Sequence, residues 1–220
     1  MDNSYILSRV DHTLLTPTAN WSQIELLCDE AVAYKTASVC VPPCYVSRIH
    51  NSFPDLNICT VIGFPLGYTT HSTKVAEALT AVEDGASELD MVINITDVKN
   101  SVFSRVEYEI SKLKNVLDKK ILKIIVETCY LTESEKIALC RVVTDAGADY
   151  IKTSTGFGTA GATIEDIQLF KKHIGPNVKI KASGGIRTRE DMVAYIKNGC
   201  DRLGTSSAIK ILTVGDAQGY

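Results

Sequence analysis

The chain has 220 residues, of which 45% are hydrophobic, and a formal net charge of −3 at pH 7. This composition is typical of a globular protein with a sizeable core, and the acidic balance argues against nucleic acid or an anionic membrane surface as a partner. No apolar run reaches the roughly 18 residues of a membrane span, and the N-terminus lacks the basic start and apolar block of a signal peptide. We therefore expect a cytoplasmic protein.

In chain order, short β-rich runs alternate with longer amphipathic segments. The runs are RVDHTLL, SVCV, NICTVIGFP, ELDMVIN, LKIIVETC, YIKTST, VKIKASG and RLGTS. Between them lie helix-like segments such as NWSQIELLCDEAVAY and TESEKIALCRVVTDAG, several of which open at Asn or Thr and close at Gly. Eight βα units without a linker predict a single α/β domain over residues 1–220, folded as a (β/α)₈ TIM barrel. An open doubly wound sheet is the alternative.

The seven cysteines stand in apolar segments such as SVCV and NICTV. An odd number of cysteines in such segments favours reduced, buried thiols over a disulfide framework. Cys40 and Cys44 form the one close pair, but two prolines separate them and no second pair is present, which argues against a zinc site.

A weak internal repeat places two charged residues at equivalent positions. The segments DGASELDMV, AGADYIKTS and NGCDRLGTS align on a glycine, and the fifth residue after it is Asp90, Lys152 or Gly204. Alternate strands of a barrel supply the same interior layer, so Asp90 and Lys152 should face one shared space. The seventh strand repeats the Lys-x-Ser spacing, and period-two alternation places Lys181 and Ser183 on one face.

These residue types favour carbonyl chemistry. Lys and Asp are rarely buried unless paired, and here they occur near the carboxyl ends of predicted barrel strands, where barrel enzymes keep their active sites. A nearby second cation and partial desolvation lower the pKa of a lysine from about 10.4 toward about 7 to 8, which makes the amine a nucleophile. Lys152, Lys181 and Asp90 would then suffice for an aldol reaction through a Schiff base, without a metal or other cofactor.

A zinc-dependent aldolase would need several converging histidines. The four histidines show no ligand spacing. His12, beside Asp11 in DHTLL, could lie near the barrel mouth, although a structural role is the preferred interpretation.

The segment GFGTAG matches the G-x-G-x-x-G pattern of dinucleotide-binding proteins. That pattern requires an apolar strand before it and an acidic residue about 20 residues later, whereas this segment follows Lys152 and the next strand ends at Ser183. We interpret the glycines as a tight loop that lets backbone N–H groups approach an anion. The segments SGGIRTRED and GTSS point to the same kind of site, because barrels commonly bind phosphate at the loops after strands seven and eight.

At these motifs the chain resembles the deoxyribose-phosphate aldolases. The similarity covers nearly the whole chain, through DHTLL, SVCVPP, CTVIGFPLG, ELDMVIN, IVETCYLT, IKTSTGFGT, KASGGIRT and RLGTSS. The resemblance implies a class I aldolase that interconverts 2-deoxy-D-ribose 5-phosphate with D-glyceraldehyde 3-phosphate and acetaldehyde. It implies that Lys152 carries the Schiff base, that Lys181 perturbs it and assists proton transfer, and that Asp90 belongs to the acid/base relay.

The resemblance also implies a phosphate site, a tail residue and an assembly. The phosphate-binding residues would be Gly156, Gly184, Gly185, Gly204, Ser206 and Ser207. Some members carry a basic residue where this chain has Phe157, so backbone groups should do more of the binding here. A C-terminal tail over about residues 212–220 would end in a proton-transferring Tyr220, unless it is simply frayed. The family implies a homo-oligomer, most often a dimer.

Two other functions fit the residues less well. Another Schiff-base barrel aldolase or a transaldolase would act on a longer ketose phosphate. A non-catalytic sugar-phosphate-binding barrel would keep the loops, but both lysines and Asp90 argue against it.

Overall fold

The chain forms a closed parallel barrel whose eight strands follow one another in sequence order. The computed structural model describes residues 1–214. The strands are β1 (Val10–Thr13), β2 (Ser38–Val41), β3 (Ile58–Ile62), β4 (Glu88–Val92), β5 (Ile121–Ile125), β6 (Tyr150–Lys152), β7 (Lys179–Ser183) and β8 (Arg202–Thr205). Each predicted β-rich run overlaps one of them. The predicted (β/α)₈ barrel is therefore confirmed, and the open sheet is excluded.

Helices surround this barrel. They are α1 (Asn3–Leu7), α2 (Trp21–Tyr34), α3 (Val46–Ser52), α4 (His71–Glu83), α5 (Ile95–Lys99), α6 (Phe103–Leu117), α7 (Glu133–Asp145), α8 (Ile164–His173), α9 (Arg189–Lys197) and α10 (Ala208–Val214). Short 3₁₀ helices span Pro43–Tyr45 and Thr128–Tyr130. Side chains of Asn20, Thr132 and Thr188 form capping boxes that start α2, α7 and α9. Within residues 1–214, none of the helices combines the length and apolarity that crossing a membrane requires.

Alternation along the strands separates the hydrophobic core from the barrel interior. In β4, Leu89 and Met91 belong to a large buried cluster that also contains Ile110 and Leu113 of α6. The intervening Asp90 points the other way and is fully buried inside the barrel. The outer faces of the strands thus bind the helices, and the inner faces are free to carry polar side chains.

Two further predictions concern the cysteines and the C-terminal segment. The seven cysteines are free, and five of them are buried as predicted, whereas Cys44 is exposed and Cys129 is partly exposed. Helix α10 continues to Val214, and Leu212 is buried, so the first residues of the predicted tail belong to this helix. Tyr220 lies outside the described residues.

Candidate active site

Asp90 and the two predicted lysines meet inside the barrel. Lys152 on β6 and Lys181 on β7 are partners in the strand register, and β4 brings Asp90 opposite them. The Nζ atoms of both lysines lie 2.6 Å from the same atom, Oδ2 of Asp90. The side chains are 3%, 0% and 0% exposed for Lys152, Lys181 and Asp90. The predicted shared space is confirmed, and Lys181 also enters it from the neighbouring strand.

Four further charged residues surround this trio and were not predicted. Lys123 on β5 contacts Oδ1 of Asp90 at 2.8 Å and Oε2 of Glu88 at 2.6 Å. Asp11 on β1 accepts hydrogen bonds from both Lys181 and Arg202. The sequence shows only that Lys123 interrupts the apolar run ILKII, and the structure makes it the register partner of Asp90.

The buried carboxylates remain ionised. Burial of Asp90 opposes its charge, but the surrounding lysine ammonium groups outweigh burial and hold its pKa well below the ordinary value. Burial also opposes the charge of Asp11, but the neighbouring cations, of which Lys181 has the largest effect, outweigh burial and lower the pKa of Asp11.

The buried cations are stabilised in turn. Burial favours the neutral amine of Lys181, yet Asp11 and Asp90 raise its pKa above the usual range of a lysine. Carboxylates around Lys123 raise its pKa as well, again against burial. Both groups therefore stay charged at neutral pH.

The charges in this cluster do not balance. As far as the structure describes the chain, to residue 214, it contains three carboxylates and four cations: Asp11, Glu88, Asp90, Lys123, Lys152, Lys181 and Arg202. Loss of one proton would leave equal numbers of opposite charges. Among the described residues, Lys152 forms an ion pair with Asp90 alone, whereas Lys181 contacts two carboxylates, and Lys152 is the most exposed of the three lysines. It is therefore the lysine of the cluster best placed to contact a substrate.

Two groups of potential metal ligands overlap this cluster. Cys40, Cys59 and Asp90 bring ligand atoms within 4.8 Å of one another, and so do Asp11, Cys59 and Glu88. However, Lys123 Nζ donates to Cys59 Sγ at 3.2 Å and already provides a cation among these groups. Burial also raises the pKa of the Cys59 thiol well above its ordinary value, whereas zinc binds the thiolate. These residues fit a lysine ammonium better than a metal ion.

A cavity of about 420 Å³ opens at the carboxyl ends of β1, β6, β7 and β8. All six predicted phosphate-binding residues line it: Gly156, Gly184, Gly185, Gly204, Ser206 and Ser207. The structure thus places the predicted phosphate-binding loops around one cavity. At Gly184 the φ angle is +79°, a backbone conformation that favours glycine.

Gly204 connects this cavity with the charged cluster. A Cβ added at Gly204 would lie 2.4 Å from Ser183 Oγ and 3.2 Å from Lys181 Cε. Only a residue without a side chain allows this close approach. The floor of the cavity therefore adjoins Lys181.

Phe157 and Arg187 contribute an aromatic and a positively charged side chain to the lining of the cavity. Phe157 is exposed, lines the cavity and packs edge-to-face on Phe64, with ring centroids 5.3 Å apart. Arg187 also lines it and supplies a positive charge. The prediction missed Arg187, although the residue stands within SGGIRT.

His12 lies outside the cluster, in agreement with the preferred structural interpretation. Its Nε2 lies 2.8 Å from Oε2 of Glu30 on α2, whereas the adjacent Asp11 faces the barrel interior. Because side chains alternate along a strand, Asp11 and His12 point to opposite faces of β1.

Comparisons with known proteins agree with this geometry. The sequence profile of the DeoC/LacD family aldolases matches residues 5–209. The deoxyribose-phosphate aldolase of Clostridium botulinum (strain Alaska E43 / Type E3) is 62% identical over 221 residues, which cover 100% of both chains. A putative deoxyribose-phosphate aldolase from Coccidioides immitis superposes with a TM-score of 0.94 at 41% identity, covering 98% of this chain and 87% of that one.

A more distant solved structure gives the same picture. The tetrameric deoxyribose phosphate aldolase from Aeropyrum pernix has a TM-score of 0.91 and 32% identity, covering 98% of this chain and 93% of that one. The chain therefore belongs to the DeoC/LacD family of aldolases.

Proposed function

We propose that the chain is a class I aldolase that cleaves 2-deoxy-D-ribose 5-phosphate into D-glyceraldehyde 3-phosphate and acetaldehyde, and also catalyses the reverse reaction. The observation that carries this proposal is the environment of Lys152: within residues 1–214 it is a buried lysine with one ion pair, in a cluster that has one positive charge in excess. The cavity beside the cluster suits a phosphate, and the relatives carry the name of this enzyme.

In the cleavage direction, Lys152 Nζ attacks the aldehyde carbon and the resulting carbinolamine loses water to give an iminium ion. The bond between C2 and C3 then breaks, its electron pair moves to the iminium, and an enamine forms on Lys152. At the same time the C3 hydroxyl loses its proton and becomes the aldehyde of the first product. Protonation of the enamine carbon and hydrolysis release acetaldehyde and restore the amine.

Asp90 is the proposed proton relay. Its carboxylate is ionised and contacts both lysines through Oδ2, so it can accept the hydroxyl proton directly or through one water. Lys181 is the proposed electrostatic partner. It remains charged between Asp11 and Asp90, and thus holds a positive charge beside the amine of Lys152. With proton transfer assigned to Asp90, the proposed role of Lys181 is to provide a constant positive charge, more than to donate a proton.

The proposed phosphate site consists of the cavity glycines with Ser206 and Ser207. Exposed backbone N–H groups and hydroxyls bind phosphate oxygens, and Arg187 adds the positive charge that Phe157 does not supply.

A Ser206→Asp substitution tests this site, because it adds a negative charge to the cavity at an exposed position. Repulsion should lower kcat/KM for 2-deoxyribose 5-phosphate about tenfold or more, while kcat/KM for unphosphorylated 2-deoxyribose changes little. Ser104→Asp, at an exposed position on α6, is the matched control. Equal losses for both sugars would show that these loops do not bind phosphate.

Catalysis should not depend on a metal ion, because Lys123 provides the cation among the candidate ligands. We expect the rate of cleavage to be unchanged after exhaustive treatment with EDTA. A loss of activity that added zinc restores would contradict the Schiff-base mechanism.

The proposed reaction is tested with purified protein and 2-deoxyribose 5-phosphate, by following glyceraldehyde 3-phosphate with a coupled assay. Fructose 6-phosphate, supplied with erythrose 4-phosphate as the acceptor that a transaldolase needs, serves as the comparison substrate. We expect cleavage of the deoxy sugar alone. Faster turnover of the ketose phosphate would favour a transaldolase, and no turnover of either sugar would favour a non-catalytic barrel.

We further propose that the chain forms a homodimer and works in the cytoplasm. The A. pernix relative is described as a tetramer, which supports self-association. The free cysteines are consistent with a reducing compartment. Light scattering of the purified protein should give twice the mass of one chain.

A further inference from the structure

Two serines beside the lysines have buried hydroxyl groups without partners. Ser154 and Ser183 are 0% and 5% exposed, and neither Oγ makes a hydrogen bond within residues 1–214. An unpaired buried hydroxyl destabilises a protein, so such groups are few in native structures and call for an explanation.

The serines form a layer above the lysines. Lys152 and Lys181 are register partners, and Thr153 continues the pairing by donating its N–H to Lys181 O at 3.1 Å. Period-two alternation then places each serine on the same inner face as the lysine two residues before it, about 7 Å farther along the strand direction.

The same serines adjoin the cavity on its inner side. A Cβ on Gly204 would lie 2.4 Å from Ser183 Oγ, and a Cβ on Gly184 would lie 3.8 Å from Ser154 Cβ. Both glycines line the cavity. The hydroxyl groups therefore lie between the lysine layer and the proposed phosphate site.

We propose that Ser154 and Ser183 bind the C3 oxygen of the substrate, the oxygen on the carbon whose bond is cleaved. This proposal rests on the proposed function. The first carbon of the sugar phosphate is attached to Lys152, and its phosphate lies in the cavity. Its middle carbons must therefore lie beside the two serines.

The chemistry of the serine hydroxyl suits this position. During cleavage the bond between C2 and C3 breaks, its electrons move to the iminium, and the C3 hydroxyl gives its proton to the Asp90 relay. The C3 oxygen thus changes from an alcohol, which donates and accepts hydrogen bonds, to a carbonyl, which only accepts. The C3 hydroxyl has a single proton, which it directs to the Asp90 relay, so the serine hydroxyls donate to the lone pairs of the C3 oxygen both before and after the bond breaks.

Acetaldehyde separates this role from a general effect on the lysines, because it lacks the C3 oxygen. Loss of a serine hydroxyl should therefore impair cleavage without impairing imine formation from acetaldehyde. Because the hydroxyls have no partner in the described part of the chain, their removal should also leave the folded state no less stable.

The experiment compares Ser154→Ala, Ser183→Ala and the double variant with wild type, and uses Ser87→Ala as the control. Ser87 is half-buried, and its Oγ donates to Ile58 O at the opposite end of the barrel. Three quantities are measured: kcat/KM for 2-deoxyribose 5-phosphate, the rate of borohydride trapping with acetaldehyde, and Tm.

We expect kcat/KM to fall about tenfold for each single variant, with trapping and Tm maintained and the control unchanged. Normal cleavage by the double variant, or a parallel loss of cleavage and trapping, would overturn the role of the serines. If wild type traps acetaldehyde but the serine variants cleave normally, only this inference fails. If wild type does not trap acetaldehyde, the proposed function fails with it.

Discussion

Replacement of Lys152 by arginine should lower kcat/KM for 2-deoxyribose 5-phosphate by at least about a thousandfold, because a guanidinium keeps the positive charge beside Asp90 but forms no imine. The charge balance of the buried cluster is preserved, so circular dichroism and Tm should remain close to those of wild type. Steady-state kinetics of the purified variant measure the effect.

Lys172→Arg provides the matched control for this substitution. Lys172 is exposed on α8, so the same chemical change there should leave both activity and stability unaltered. Retention of more than about a tenth of wild-type activity by Lys152→Arg would contradict the role of Lys152 as nucleophile.

Replacement of Lys181 by methionine should move imine formation to higher pH. The substitution leaves three cations and three carboxylates, so release of the Lys152 proton would then create a net negative charge inside the barrel. We expect trapping with acetaldehyde to require a higher pH than in wild type, and cleavage at pH 7 to be slower. Trapping as a function of pH measures the shift.

The fold should survive this substitution, because Asp11 would still form an ion pair with Arg202, and Asp90 would still form one with Lys123. Lys179→Met is the control. Lys179 lies two residues earlier on β7, is exposed, and has its Nζ 5.6 Å from the centroid of the Tyr150 ring. An unchanged pH profile for Lys181→Met would show that Lys181 does not tune the nucleophile.

Local sequence patterns predicted the barrel and the central residues of the site. Alternation along each strand depends only on backbone geometry, and the glycine that aligns Asp90 with Lys152 marks the same point in two strands. The two side chains therefore had to meet once the barrel closed. The phosphate loops were predictable for a related reason, because they follow directly from the strands that carry the lysines.

The partners of those residues could not be predicted in the same way. Asp11 and Lys181 are 170 residues apart in the sequence, and Asp11 and Arg202 are 191 apart. Their contact depends on the register between β7, β8 and β1, which no local pattern specifies. Lys123 could equally have been a solvated residue, because a single lysine in an apolar run shows neither its direction nor its partners.

Trapping of the imine tests the central proposal most directly. The protein is incubated with acetaldehyde and sodium borohydride, digested, and mapped by mass spectrometry. We predict a single reduced two-carbon adduct on Lys152, and none on Lys152→Arg. An adduct on Lys181 or Lys123, or no adduct at any lysine of the cluster, would contradict the proposed mechanism.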